Sequence, residues 1–174
     1  MSGHSAKIFK PLNLCVLTVS DTRSLAEDTS GDFLETSLRE AGHNLADRQL
    51  CQDDIYTMRA IVSDWIARDD CQAVMITGGT GFTQRDSTPE AISVLFDKAI
   101  EGFGEIFRTI SYQEIGTSTV QSRAVGGMAN KTAIFCMPGS TGACKTAWNG
   151  ILKEQFDSTH GPCNFVMHLK PQNG

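Results

Sequence analysis

Three short apolar segments constrain this chain more than anything else in it: LNLCVLTVS from Leu12 to Ser20, CQAVMIT from Cys71 to Thr77, and KTAIFCMP from Lys131 to Pro138. Each is too short for a helix and too continuously apolar for a strand with one face in water. They therefore read as strands buried on both faces, the mark of a parallel sheet covered by helices. Each also runs directly into small, polar or glycine-rich residues: SDTR, TGGTG and PGST. In open α/β sheets, ligands bind outside the carboxyl ends of the strands, so three such loops at three such ends point to one shared pocket.

The segments between supply the helices. DTSGDFLETSLREAG carries Phe33, Leu34, Leu38 and Ala41 at helical spacing, with Thr29 or Ser30 as the expected cap and Gly42 as the stop. HNLADRQLC alternates weakly as a further strand, after which Asp53 or Asp54 opens a helix placing Met58, Ile61, Val62, Trp65 and Ile66 on one face. Thr88 is the expected cap of a helix that Pro89 begins, and Ile92, Leu95 and Phe96 face inward from it. EGFGEIFRTISYQEIG is helical after its glycines. TSTVQSRAVGGMAN reads as helix followed by a turn, and STGACKTAWNGILKEQF closes the order as a helix capped by Ser140. Alternating strands and helices predict a three-layer α/β/α sandwich with a mostly parallel sheet, one domain over residues 1–174, with short flexible ends near 1–10 and 169–174 and an extended polar tail from Asp157.

Composition excludes several classes. A net charge of −5 with no basic stripe argues against nucleic acid, and no apolar run reaches the roughly 20 residues that span a bilayer. The N-terminal residues lack an apolar signal region, so a cytoplasmic address is expected. The six cysteines form no C-x-x-C pair and read as small buried hydrophobes rather than zinc ligands.

The chemistry concentrates in MITGGTGFTQRDSTPE, Met75 to Glu90. Gly78, Gly79 and Gly81 allow close approach to a ligand and positive φ, and free amides in such a loop cradle anions; a tight strand-to-helix turn is the plainer reading. Asp86 is either a helix-dipole carboxylate, worth about 0.3–1 kcal/mol, or an oxygen ligand for Mg²⁺. Of Asp53 and Asp54, one caps the helix and the other is free for a metal. Asp21 in SDTR holds a ribose or base edge, or makes an Asx turn. Ser140 caps its helix and can add its hydroxyl to an anion site there. Arg108 and Arg123 read as members of solvated faces before anion partners. The four histidines lack metal spacing, and no G-x-S-x-G or Cys–His pairing supports hydrolysis.

The set LTVSDTR, DTSG, ITGGTGFTQRDSTPEA, GFGEIFR, GTSTVQSRA and MPGST resembles the molybdenum cofactor biosynthesis family that includes MoaB- and MogA-type proteins and the gephyrin G domain. The match runs from about Leu12 to His168. GTSTVQSRAVGG, CMPGSTGACKTAW and PCNF are most similar to MoaB-type members. The resemblance implies a three-layer molybdopterin-binding fold that assembles as a trimer or hexamer. It also implies, for active members, transfer of adenylate from Mg-ATP to the terminal phosphate of molybdopterin, releasing pyrophosphate. Carried over, the pterin and nucleotide site falls on Gly78, Gly79, Thr80, Gly81, Pro138, Gly139 and Ser140, with Ser20 and Asp21 in the neighbouring loop. The functional acids, binding Mg²⁺, fall on Asp86 and Asp53. The family precedes the second acid with proline, where this chain has Gln52, and some MoaB-type members lack that acid. A non-catalytic binder of molybdopterin, its precursor or a nucleotide is the alternative function.

Overall fold

In the computed structural model, which describes residues 7–172, a six-stranded sheet has the order β2-β1-β3-β6-β5-β4. The strands are β1 (Asn13–Val19), β2 (Asn44–Cys51), β3 (Ala73–Thr77), β4 (Lys98–Ala99), β5 (Val125–Ala129) and β6 (Thr132–Met137). The helices are α1 (Thr29–Glu40), α2 (Ile55–Ala67), α3 (Thr88–Ser93), α4 (Glu101–Ile115) and α5 (Thr141–Ala147). The last runs on through a π turn, Trp148–Leu152, into α6 (Lys153–Gln155).

The pleat sorts the two cores. Leu14, Val16, Met75, Phe135 and Met137 point to one face, covered by Leu34 and Leu38 of α1, Phe103 and Phe107 of α4, and Trp148, Leu152 and Phe156 at the C-terminal end. Cys15, Leu17, Val74, Ile76, Ile134 and Cys136 point to the other, covered by Met58, Val62 and Trp65 of α2 and Ala91 and Ile92 of α3. Side chains of successive strand residues alternate faces, so a continuous apolar run feeds both layers at once. The α/β/α sandwich expected from the sequence is therefore the fold.

β2, β1, β3 and β6 are parallel, and β5 and β4 add an antiparallel edge. β5 corrects the expectation of helix then turn: Gly116–Gln121 is a short 3-10 segment, and Val125–Ala129 is a strand. Two of its five residues are glycines, which weaken strand propensity, but a Cβ on Gly127 would overlap the ring of Phe96. Packing thus selects what propensity disfavours. Asn130 and Lys131, both at positive φ (46 and 58), make the two-residue turn that returns β5 to β6.

Other local expectations shift as well. Asp28, not Thr29 or Ser30, caps α1, accepting from the Gly31 amide, while it also binds Thr18 and Arg48. Thr88 lies inside α3 with Ser87 at the cap position. α4 includes Gly102 and Gly104 rather than following them. Five cysteines are buried as expected, but Cys163 is exposed.

The tail is folded back rather than extended. Phe165 packs on Phe135, and Leu169 and Lys170, placed by the sequence in a flexible end, are buried. Lys170 Nζ donates to the carbonyls of Ile66 and Arg68 (2.6 Å each), satisfying the end of α2. Residues 1–6 and 173–174 of the expected flexible ends lie outside the described residues. Among the described residues no helix is long and apolar enough to cross a membrane.

Candidate functional site

The register of the sheet brings the three loops together. Thr18 pairs with Thr77, and Thr77 with Met137, so β1, β3 and β6 end side by side. Their loops line a cavity of about 470 Å³ bounded by Ser20, Thr22 and Arg23, by Gly78–Gly81 and Asp86, and by Pro138 and Gly139.

The glycine loop is shaped by close approach. Gly78 has φ +104, and a Cβ there would run into the carbonyl of Val19; Gly79 has φ +65, and a Cβ there would sit 2.5 Å from Asp53 Oδ2. Thr88 Oγ1 donates to the Gly78 carbonyl (2.8 Å), and its amide donates to Gly79 O (2.9 Å). The first turn of α3 is therefore tied to the loop. Gly78 N donates to Met137 O (3.1 Å), and Thr77 Oγ1 to Pro138 O (3.0 Å), joining this loop to the one after β6.

The acids divide the roles that the sequence left open. Asp54 caps α2 by accepting from Thr57 N (2.7 Å), while Asp53 turns toward the back of the glycine loop. Asp53 Oδ1 accepts from the Ser87 hydroxyl (2.6 Å) and amide (3.2 Å), while Oδ2 lies against Gly79. Burial raises the Asp53 pKa above the ordinary carboxylate value; Ser87 opposes this, and the charges of Asp86 and Asp21 add to it. Asp86 Oδ2 accepts from Thr83 Oγ1 (2.7 Å) and N (2.9 Å), and lies 2.7 Å from where a Cβ on Gly81 would be. The Thr83 hydrogen bonds lower its pKa against a smaller burial effect. Asp21 takes both arms of Arg85 (2.9 Å each) and the Asp53 amide (3.0 Å), and its pKa falls to about 2, chiefly through Arg85.

Among the described residues no three His, Cys, Asp or Glu side chains form a metal cage. Two carboxylates beside a glycine loop instead fit Mg²⁺, which takes one or two protein carboxylates and completes its shell with water and substrate phosphate. Burial is the main cause of the raised Asp53 pKa, and a divalent cation would relieve the smaller contribution that the charges of Asp86 and Asp21 add to it.

Not every sequence candidate lines the cavity. Ser20, Gly78, Gly79, Thr80, Gly81, Asp86, Pro138 and Gly139 do. Asp53 and Asp21 stand behind the glycine loop and the β1 loop, and the Ser140 hydroxyl is engaged by the Ala143 amide (3.1 Å) as the α5 cap. Arg123 overturns its solvated-face reading. It donates to Thr80 O (3.0 Å), Gly81 O (2.6 Å) and Asp86 O (3.1 Å) and pairs with Glu90. Arg108 is likewise turned inward, onto the carbonyls of Ser122 (3.4 Å) and Ala124 (3.1 Å). Sequence reasoning missed Arg23 and a fourth wall made by Ile115, Ser118, Gln121 and Ser122. The hydroxyl-rich run GTSTVQS was the available signal for that wall.

Comparison with known proteins follows the same outline. A family model described as a probable molybdopterin binding domain matches residues 15–158. Molybdenum cofactor biosynthesis protein B of Escherichia coli (strain K12) is 56% identical over 162 residues, 93% of this chain and 95% of that protein. A crystal structure of molybdenum cofactor biosynthesis protein B superposes with TM-score 0.82 at 42% identity, covering 84% of this chain and 91% of that one. The tungsten cofactor synthesizing protein MoaB from Pyrococcus furiosus gives 0.77 at 35%, covering 84% and 94%.

Proposed function

We propose that this chain, which belongs to the probable molybdopterin binding domain family, serves molybdenum cofactor biosynthesis by binding molybdopterin and Mg-ATP and transferring adenylate to the pterin's terminal phosphate. The observation that carries this reading is the placement of two carboxylates, Asp53 and Asp86, against glycines of one loop on a cavity of about 470 Å³.

Adenylyl transfer asks a protein for positioning and charge neutralisation more than for covalent help. Mg²⁺, when bound by Asp86 and Asp53, would supply charge neutralisation for the triphosphate. The chain's own residues do the rest. Gly78, Gly79 and Gly81 line the cavity, and their lack of a side chain lets the loop pack against Val19, Asp53 and Asp86 while it presents backbone to the phosphates. Thr88 and Arg123 hold the loop's carbonyls turned away toward α3 and the guanidinium, so that the loop keeps one shape. Asp53 is held ready by Ser87 with one oxygen left toward the loop. Ser118, Gln121 and Ser122 bring polar groups to the remaining wall.

Self-association to a trimer or hexamer, which the family resemblance implies, belongs to the same proposal. The test is incubation of the purified protein with molybdopterin, Mg²⁺ and ATP labelled in the α-phosphate. Labelled molybdopterin-AMP should form, and Asp86→Asn and Asp53→Asn should each lower its rate at least a hundredfold, in the range seen when one preorganised electrostatic group is removed. Parent protein that forms no adenylate above a blank, beside a transferase that does, removes the reading.

A further inference from the structure

An acidic chain with net charge −5 has to receive phosphorylated ligands in a cavity whose charged neighbours include Asp86, Asp53 and Asp21. Apart from Arg23, the arginines of the described residues are committed elsewhere. Arg39, Arg48, Arg68, Arg85 and Arg123 are in ion pairs. Arg59 and Arg108 spend their guanidinium groups on backbone carbonyls. Arg23 differs. It lines the cavity, it pairs with no carboxylate of the described residues, and its one side-chain hydrogen bond runs from Nη1 to the Gly139 carbonyl (3.2 Å).

That one bond orients the group without consuming it. A guanidinium carries five N–H donors in a planar fork that matches phosphate oxygens in pairs. The fork's base is fixed as well, because the amides of Thr22 and Arg23 both donate to Ser20 Oγ (3.3 and 3.1 Å). Its anchor is fixed in turn, since Ser30 Oγ donates to the same Gly139 oxygen (2.8 Å). The cavity is thus polar along its length, cationic at the Gly139 wall and anionic at the Gly81 wall.

We propose that Arg23 is a substrate-binding residue that holds a metal-free phosphate monoester at the Gly139 wall. A phosphate carrying Mg²⁺ is drawn to the Asp86 side; one without metal is repelled there and attracted here. The identification of that monoester with the terminal phosphate of a pterin rests on the function proposed above, but the phosphate subsite itself does not.

The experiment is a ³¹P NMR titration of the full-length protein with inorganic phosphate in the presence of EDTA. The parent should bind phosphate without metal. Arg23→Gln loses the charge and the fork, so it should bind at least about tenfold more weakly, as expected for losing charge-assisted hydrogen bonds. Arg23→Lys, which restores a point charge without the fork, should recover part of the loss, and Asp86→Asn should leave binding equal or tighter. Urea unfolding of Arg23→Gln should match the parent, since Ser30 Oγ still donates to the Gly139 carbonyl (2.8 Å). Absence of metal-free binding in the parent, or an Arg23→Gln titration equal to the parent's, overturns the proposal. The two readings fail separately. Phosphate binding that depends on Arg23 in a protein that makes no adenylate removes only the transferase, and adenylate made with an Arg23-independent titration removes only the subsite.

Discussion

The loop after β3 and the loop after β6 end neighbouring parallel strands and face the same cavity, yet they are built differently. The first takes positive φ at Gly78 and Gly79 and is tied from outside by Thr88, Arg123 and Ser87–Asp53. The second turns at Pro138 and Gly139 without positive φ at the glycine, and is held by Ser30, Thr77 and Arg23 onto its carbonyls. The first wall depends on glycine and carries an acid, Asp86; the second needs no positive φ and carries a base, Arg23. A glycine loop needs clamps because glycine leaves many backbone conformations open, whereas proline fixes its own φ at the start of a turn into a capped helix.

Replacing one glycine in each loop exposes that contrast most. Gly79→Ala meets both a φ of +65 and the Asp53 carboxylate 2.5 Å from the new Cβ, and should cost roughly 3 kcal/mol of stability. Gly139→Ala brings a Cβ 3.1 Å from Gly78 Cα, with no φ penalty, and should cost about 1 kcal/mol. Urea midpoints at unchanged m-value measure both; equal losses would erase the distinction between the loops.

Removing the clamp comes next. Arg123→Ala should destabilise by about 2 kcal/mol and speed amide exchange across residues 80–86, while the Gly139 and Ser140 amides keep the parent's rates. Arg123→Lys should recover little, since an ammonium cannot reproduce a fork that reaches three carbonyls. Faster exchange in both loops would show that they form one unit.

The smallest effect has two signs. The Asp86 pKa is lowered in the fold, so its ionised form stabilises above the unfolded pKa, and that contribution is lost as pH falls through the native value. The Asp53 pKa is raised, so its contribution is present at low pH and lost as pH rises through the native value. At pH 7 without metal, Asp86→Asn should therefore lower stability and Asp53→Asn raise it, each by less than about 1 kcal/mol, with the difference closing below a pH of about 4. Urea unfolding at the two pH values reads this, and the same sign for both variants contradicts it.

Much of this was written locally. LNLCVLTVS, CQAVMIT and KTAIFCMP each announced a buried strand because burial on both faces demands an unbroken apolar run, and they became β1, β3 and β6. The loops followed from the strands, and so did the candidate residues Gly78, Gly79, Gly81, Asp86, Pro138 and Gly139. RAVGGMAN was illegible for the opposite reason. Its glycines lower strand propensity, and their purpose, room for Phe96 against Gly127, lies in residues some thirty positions away.

The amino-acid sequence by itself determined the layer architecture, the sheet edge at which the three loops gather and the residue types available there, because period and punctuation are properties of neighbouring residues. Only the tertiary structure decided the assignments within that set. It gave Asp54 to the α2 cap, set Asp53 behind the glycine loop, turned Arg123 from solvent to that loop, and left Arg23 on the cavity wall with no carboxylate partner among the described residues. A charged side chain's role depends on which partners the fold brings within hydrogen-bond reach, and those partners lie far apart along the chain.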